Sequence, residues 1–393
     1  MKRISEIFMV VCFLGFLAAG LALTVLREPA TVSFFENRAL ATFPELTAQS
    51  AGDGSFATGL ERYLDDHAAL RTTMLMTKAR VDLALGRPVV NNIVITPGPL
   101  LPFRSPEHVN ETQIAVQADA MADGLRHIHD TVAEYGGYYC YVAVPCQYAY
   151  FEDDYPWYLE NRAEYSRLSV SQLSRAMKER GVAFLDTRAA FDSLGRPDQY
   201  GSLVDNHYIM AGAFETYRMV MEKIAAETGL DFPILGPEDV IFETLPNDYF
   251  GSRERRLMGV VNREEHPSIL HPVEEIPFSR SDGGIPGASE VYALGFADGQ
   301  PLNYELYMGG DIANTVIDTH REELPSILIY GDSFTNALEC VAYLSFDEMH
   351  SLDLRHYQEM SLEDYIRKVQ PDIVVCIRDY EALLSPYGNG AIA

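Results

Sequence analysis

One stretch near the carboxyl end constrains the fold more than any other: Ile327-Leu328-Ile329-Tyr330-Gly331-Asp332-Ser333-Phe334-Thr335-Asn336. An apolar run with β-branched residues and no polar alternation reads as a strand buried on both faces, which is the signature of a parallel sheet. The run breaks at Gly331-Asp332-Ser333, and residues 336–344 continue in a helical pattern. A strand needing cover on both sides, followed at once by a helix, commits the chain to an α/β architecture. It also sets a serine at the carboxyl end of a sheet strand, where open α/β folds place their chemistry. The serine hydroxyl can project from such a turn, and its N–H lies near a helix N-terminus that favours developing negative charge. That suits an acyl-transfer nucleophile. Asp and Ser are also ordinary helix caps, so the tripeptide alone does not decide the matter.

The rest of the chain fits this frame. Residues 7–26 carry no charge and follow Lys2 and Arg3. The run is long enough to span a bilayer, and the basic flank holds the amino end in the cytoplasm and sends the body outside. A cleaved signal peptide with Gly20-Leu21-Ala22 as its small-residue site is the rival reading; the continuing Leu23-Thr24-Val25-Leu26 favours an uncleaved anchor over residues 1–26. Residues 27–54, with Pro29, Pro44, Gly52 and Gly54, read as a linker, and 55–86 as helical. Asn110 reads as the cap of a helix on which Ile114, Met121, Leu125, Ile128, Val132 and Tyr135 recur at helical spacing, ended by Gly136-Gly137. His127 and His129 on that helix are two apart, not the four that a metal pair prefers. Strand, helix, strand and helix then alternate through residue 228. The pattern breaks over 231–325, which is rich in Pro, Gly and scattered aromatics and reads as an irregular, partly β insertion beside the sheet. It resumes with strands at 326–330, 349–354 and 372–377.

Composition narrows the partners. With 47% apolar and 22% charged residues the chain is a folded globular protein, and its net charge of −27 argues against nucleic acid or an anionic membrane surface as partner. Of the five cysteines, Cys12 lies in the apolar segment; Cys140, Cys146, Cys340 and Cys376 permit two disulfides in three pairings. Cys140 and Cys376, inside apolar strand-like runs, read as free buried thiols. No cofactor or metal is expected.

A nucleophilic serine needs a base, and the base an orienting acid. Asp205-Asn206-His207-Tyr208 offers both. In an extended segment, residues two apart face the same side, so the Asp205 carboxylate can hold the tautomer of the His207 imidazole that takes the serine proton. Taken alone, Asp-x-His also suits a solvent-facing loop or a cap on the helix that begins near Met210.

The set Tyr200…Asp205-Asn206-His207-Tyr208…Gly212-Ala213…Tyr217 with Gly331-Asp332-Ser333-Phe334 resembles bacterial DHHW-motif proteins, and through them the extracytoplasmic SGNH-hydrolase-like proteins of alginate O-acetylation. Glu36-Asn37-Arg38-Ala39-Leu40, Tyr63…Asp66…Arg71, Phe250-Gly251-Ser252, Tyr307-Met308-Gly309-Gly310 and 351–357 fit the same pattern. Asn206 and Tyr208 replace the first His and the Trp of the name motif, and neither change touches the Asp-x-His pair. The resemblance implies a three-layer α/β/α, flavodoxin-like parallel sheet over residues 55–393, with 231–325 inserted. It implies Ser333 as nucleophile, His207 as base and Asp205 as its orienter, in a chain order that differs from common SGNH hydrolases, where the serine comes first. Asn336 is a candidate oxyanion donor beside the Ser333 N–H, and Tyr208 a candidate wall for the acceptor. The expected activity is O-acetyl transfer to a cell-surface polysaccharide, with acetyl supplied by a membrane-bound O-acyltransferase. An acetyl esterase, or an inactive glycan-binding or scaffold protein, are the alternatives.

Overall fold

The run around Ile327 lies near the middle of a large sheet. The computed structural model describes residues 2–26, 30–106, 108–195, 199–287, 289–296 and 299–390; Pro29 of the expected linker lies outside the described residues. In chain order the strands of the sheet are β1 (Tyr138–Val144), β2 (Ala183–Asp186), β3 (Ser279–Asp282), β4 (Ile285–Pro286), β5 (Asn314–Asp318), β6 (Ile327–Gly331), β7 (Glu348–Leu352) and β8 (Ile373–Asp379). They hydrogen-bond in the order β4-β3-β5-β7-β6-β8-β1-β2. Neighbours from β7 to β2 are parallel, whereas β5, β3 and β4 join antiparallel. Counted from β6 and wrapping from the end of the chain back to β1, the parallel strands fall in the order 2-1-3-4-5, which is the flavodoxin-like order. The fold is thus a circular permutation of that arrangement, and the permutation explains why Asp and His precede Ser in this chain.

The main helices are α1 (Lys2–Leu26), α2 (Ser55–His67), α3 (Arg71–Ala84), α4 (Glu111–Ala133), α5 (Ala163–Glu179), α6 (Met210–Thr228), α7 (Phe334–Ala342) and α8 (Leu362–Val369). α4, α5 and α8 pack together on one face of the sheet, α6 and α7 on the other. Covered this way, β6 and β8 are buried along their whole length, as the unalternating apolar sequence requires. α4 starts where Asn110 accepts the Gln113 N–H at 3.0 Å, and its inward stripe of Ile114, Ala118, Met121, Leu125, Ile128 and Val132 is buried. Cys140, Cys146, Cys340 and Cys376 are buried free thiols.

The chain packs as two units, Met1–Ile93 with Glu254–Asn262, and Val94–Arg253 with Arg263–Ala393. The sheet belongs to the second. Residues 55–93 group with the first unit, so packing does not divide the chain at residue 55 where composition placed the boundary. In the first unit the expected helix 55–86 is broken into α2 and α3, with Leu70 at φ 62° between them. The Glu36-Asn37-Arg38 motif becomes an interlock: Arg38 pairs with Asp66, and Arg71 with Glu36 at 2.6 and 3.0 Å. Within α1, Ile4–Thr24 has a mean hydropathy of 2.5 and none of it is buried.

The second unit also corrects the view of 231–325 as lying only beside the sheet. β3, β4 and β5 extend the sheet itself. In β5 the buried Thr315 and Ile317 alternate with the half-buried Asn314, Val316 and Asp318, the pattern of an antiparallel strand covered chiefly on one face. Set among prolines and glycines, so short an alternation gives no clear signal in the sequence.

Candidate active site

β6 delivers Ser333 to the first turn of α7, and Gly331 lets it do so. A Cβ on Gly331 would lie 2.0 Å from the Ile377 carbonyl of β8, so no other residue fits there. Asp332 locks the turn: one carboxylate oxygen accepts the Phe334 N–H at 3.0 Å and the other the Asp379 N–H at 3.2 Å. These two bonds tie the turn to the end of β8.

The second arm of the site is the loop between β2 and α6. Ser202 Oγ accepts the Val204 and Asp205 N–H groups at 3.1 and 2.9 Å, and donates to Glu265 Oε1 at 2.6 Å. Leu203 N–H donates to the other Glu265 oxygen, also at 2.6 Å. The loop so braced presents Asp205 and His207 side by side. Asp205 Oδ1 lies 2.7 Å from His207 Nδ1, and His207 Nε2 lies 2.7 Å from Ser333 Oγ. Asp205 Oδ2 accepts the Ser252 N–H at 2.6 Å. Burial would push the Asp205 carboxyl up. The charge and hydrogen bond of His207, the Ser252 N–H and the nearby Arg253 outweigh it and hold the group well below the usual carboxylate range. An ionised Asp205 only accepts, so Nδ1 carries the imidazole proton and Nε2 is left to accept from the Ser333 hydroxyl.

The insertion completes the site. Tyr304 stacks on the His207 ring with centroids 3.6 Å apart and planes within 7°, and Phe334 touches the ring at 4.8 Å. Arg253 reaches Gln147 Oε1 at 3.1 Å and Asn206 Oδ1 at 2.7 Å. A Cβ on Gly251 would meet the Val204 carbonyl at 2.4 Å, so the insertion approaches the Asp205 loop backbone to backbone.

Asp205, His207 and Ser333 therefore converge. Two weaker candidates do not take the places expected of them. Tyr208 is buried, donates its hydroxyl to the Phe334 carbonyl and props the start of α7; a ring committed there is no acceptor wall. Asn336 donates to Asp311 Oδ1 at 3.1 Å, and Asp311 Oδ2 takes Arg355 at 2.9 Å, so the amide clasps the insertion to α7. The Ser333 N–H remains as a candidate oxyanion donor. Sequence reasoning missed Tyr304, for which no signal existed, and Glu265. Ser252 stood next to a glycine whose close approach was readable only with the fold in hand. Asp311, Asp353 and His356 bring ligand atoms within 4.8 Å of one another, but Arg355 already engages both carboxylates.

The fold is a mixed α/β architecture built on a large, mostly parallel sheet, with this line of side chains at the carboxyl ends of its strands. No family model and no curated protein matches the sequence. Solved structures do match the fold. Bacillus cereus PatB1 with a sulfonyl adduct superposes with a TM-score of 0.60 at 17% identity, over 74% of this chain and 94% of that one. A DHHW family protein from Eubacterium siraeum superposes with a TM-score of 0.55 at 15% identity, over 77% and 95%. The O-acetyltransferase domain of Pseudomonas putida AlgJ aligns at 13% identity with a TM-score of 0.47, over 77% and 95%. The resemblance to DHHW-motif proteins thus extends from motif to fold.

Proposed function

We propose that this protein is a membrane-anchored, extracytoplasmic enzyme that transfers O-acetyl groups to a cell-surface polysaccharide through an acyl-serine. The observation that carries the proposal is the Asp205–His207–Ser333 line, with 2.7 Å at each link. His207 Nε2 takes the Ser333 proton as Oγ attacks the acyl carbonyl. The tetrahedral oxyanion is stabilised at the start of α7, with the Ser333 N–H as donor. Collapse returns the proton through His207 to the leaving alcohol and leaves acetyl-Ser333. A sugar hydroxyl, deprotonated by the same imidazole, then attacks the ester and regenerates the serine. Asp205 stabilises the imidazolium formed in each half. The acetyl group and the glycan come from the resemblance in motif, as does a membrane-bound O-acyltransferase as acetyl source.

The test uses a chromogenic acetyl ester with and without oligosaccharide acceptors. Ser333→Ala is expected to abolish turnover with the fold intact. His207→Ala is expected to cost about a hundredfold to ten-thousandfold, and Asp205→Asn to be comparably damaging because the amide cannot stabilise the imidazolium. Acetylated sugar detected by mass spectrometry, and lost in Ser333→Ala, supports transfer. Acetate release alone across all acceptors would make the protein an esterase, and glycan binding without turnover of any acetyl donor would make it a binding module.

A further inference from the structure

α3 is apolar on two sides. Its inner side buries Ala79 and half-buries Leu75, Met76 and Leu83. Its outer side carries a second stripe: Leu70, Met74, Val81 and Leu85 are 62%, 56%, 51% and 67% exposed. The spacings of seven and four put Met74, Val81 and Leu85 on one face of the helix, and Leu70 lies just ahead of its first turn. A second apolar face on a helix calls for a second cover. Two further features say what that cover is. Thr24, the last residue of the apolar span in α1, accepts the Ala69 N–H at 3.0 Å, so the stripe begins where the span ends. Leu70, its first member, is held at φ 62°, a conformation leucine rarely adopts, with its side chain outward. The second feature is charge. The chain as a whole is strongly acidic, yet 70–87 contains Arg71, Lys78, Arg80 and Arg87 against the single acid Asp82; Asp82 pairs with Lys78 and Arg87 and Glu36 takes Arg71, which leaves cationic charge in excess.

We infer that the outer face of α3 lies in the headgroup region of the bilayer that α1 spans, with phospholipid as its occupant. An apolar stripe flanked by long cationic side chains is the pattern of an interfacial helix: the stripe enters the acyl boundary while lysine and arginine reach the phosphates. The overall charge that argues against an acidic surface is a property of the rest of the molecule; this face is locally basic. The inference rests on α1 being a membrane anchor, and the experiment separates the two.

The full chain is inserted into vesicles of phosphatidylcholine and phosphatidylglycerol with a fluorescent probe on one cysteine. Cys12 in α1 is the exposed native cysteine among four buried ones; a probe there reports the anchor. In a Cys12→Ala background, Met74→Cys and Leu85→Cys report the stripe and Glu61→Cys serves as an exposed control. Lipid spin-labelled near the headgroup is expected to quench the probes at positions 74 and 85 and shield them from aqueous iodide, while the probe at 61 stays open to iodide. Quenching at Cys12 by lipid spin-labelled deep in the acyl chain, with iodide access at 74 and 85, would leave the anchor standing and overturn the docked face. Probes at 74 and 85 shielded from both quenchers would mean a protein partner or a second copy and would also overturn it. A Cys12 probe untouched by lipid spin-labelled deep in the acyl chain would remove the anchor and the inference with it.

Discussion

Tyr304 lies flat against the imidazole of His207, and it reaches there from a part of the chain that sequence alone would set aside as decoration. An aromatic face on the ring fixes the plane in which Nε2 points at Ser333. We expect Tyr304→Phe to keep most activity, because the ring is what touches His207, and Tyr304→Leu to lose about tenfold to a hundredfold in kcat through misplacement of the base. Steady-state kinetics on an acetyl ester measure both; equal losses in the two variants would mean the hydroxyl, not the ring, matters. Glu265 adds a pH dependence. Burial raises its carboxyl to about 7 from an ordinary 4.5, despite the bonds from Ser202 and Leu203. Between those values the folded protein binds this proton more tightly than the unfolded chain, so this group makes stability fall as pH rises through the window and levels off above it. The Tm of Glu265→Gln is expected to fall less steeply than that of the wild type from pH 5 to 7; parallel curves would dismiss the effect. Asp205 has the opposite sign: its lowered pKa adds stability above the ordinary carboxylate range that is lost as the pH falls below it.

At the scale of elements, the loop at 250–253 and the loop at 202–207 hold each other through backbone. Gly251→Ala places a methyl against the Val204 carbonyl and Asp205 Cβ, which is expected to cost about 1–3 kcal/mol of stability and most of the activity. Chemical denaturation and the ester assay read the two effects; an active variant of undiminished stability would show that the loops can part. This contact also shows what was legible in the sequence. The strand-turn-helix at Ser333 could be read because local pattern specifies it: a run of apolar residues and a break. The Asn110 cap and the inward stripe of α4 were readable for the same reason. The Asp-x-His pair could be read by its residue types, but its geometry differs from the extended segment expected: 203–207 is a bent loop, with the Ser202 N–H bonded to the His207 carbonyl, and the bend sets the two side chains together. The second rank of the site was not. Ser252 presents a backbone N–H, which no side-chain motif announces, and Tyr304 is one tyrosine among many. Tyr208 and Asn336 stood next to the key residues in sequence, yet their polar groups turn to the Phe334 carbonyl and to Asp311. Adjacency along the chain does not fix which way a side chain faces. The strands β3 to β5 were hidden because edge strands of two to five residues carry too few alternations to stand out among prolines.

At the scale of the whole molecule, the order of strands in space differs from their order in the chain. Its last strand in sequence, β8, occupies the centre of the five parallel strands, with β6 on one side and β1 on the other; Tyr138 is register partner to Ile373. A ribosome makes β1 and β2 long before their neighbour exists. Pairing across so long a stretch of chain makes closure slow, and in the interval the apolar β1 offers an unsatisfied edge to any other strand nearby. Delivery of such a polypeptide amino end first therefore calls for a holding factor, or for an anchor that keeps nascent copies apart on a membrane. The same lag acts as a safeguard. Asp332 is locked by the N–H of Asp379, the final residue of β8, so a chain released before that strand is complete has a serine with no fixed turn beneath it. On the proposed function, a reactive serine is therefore set only once the last strand of the sheet is in place.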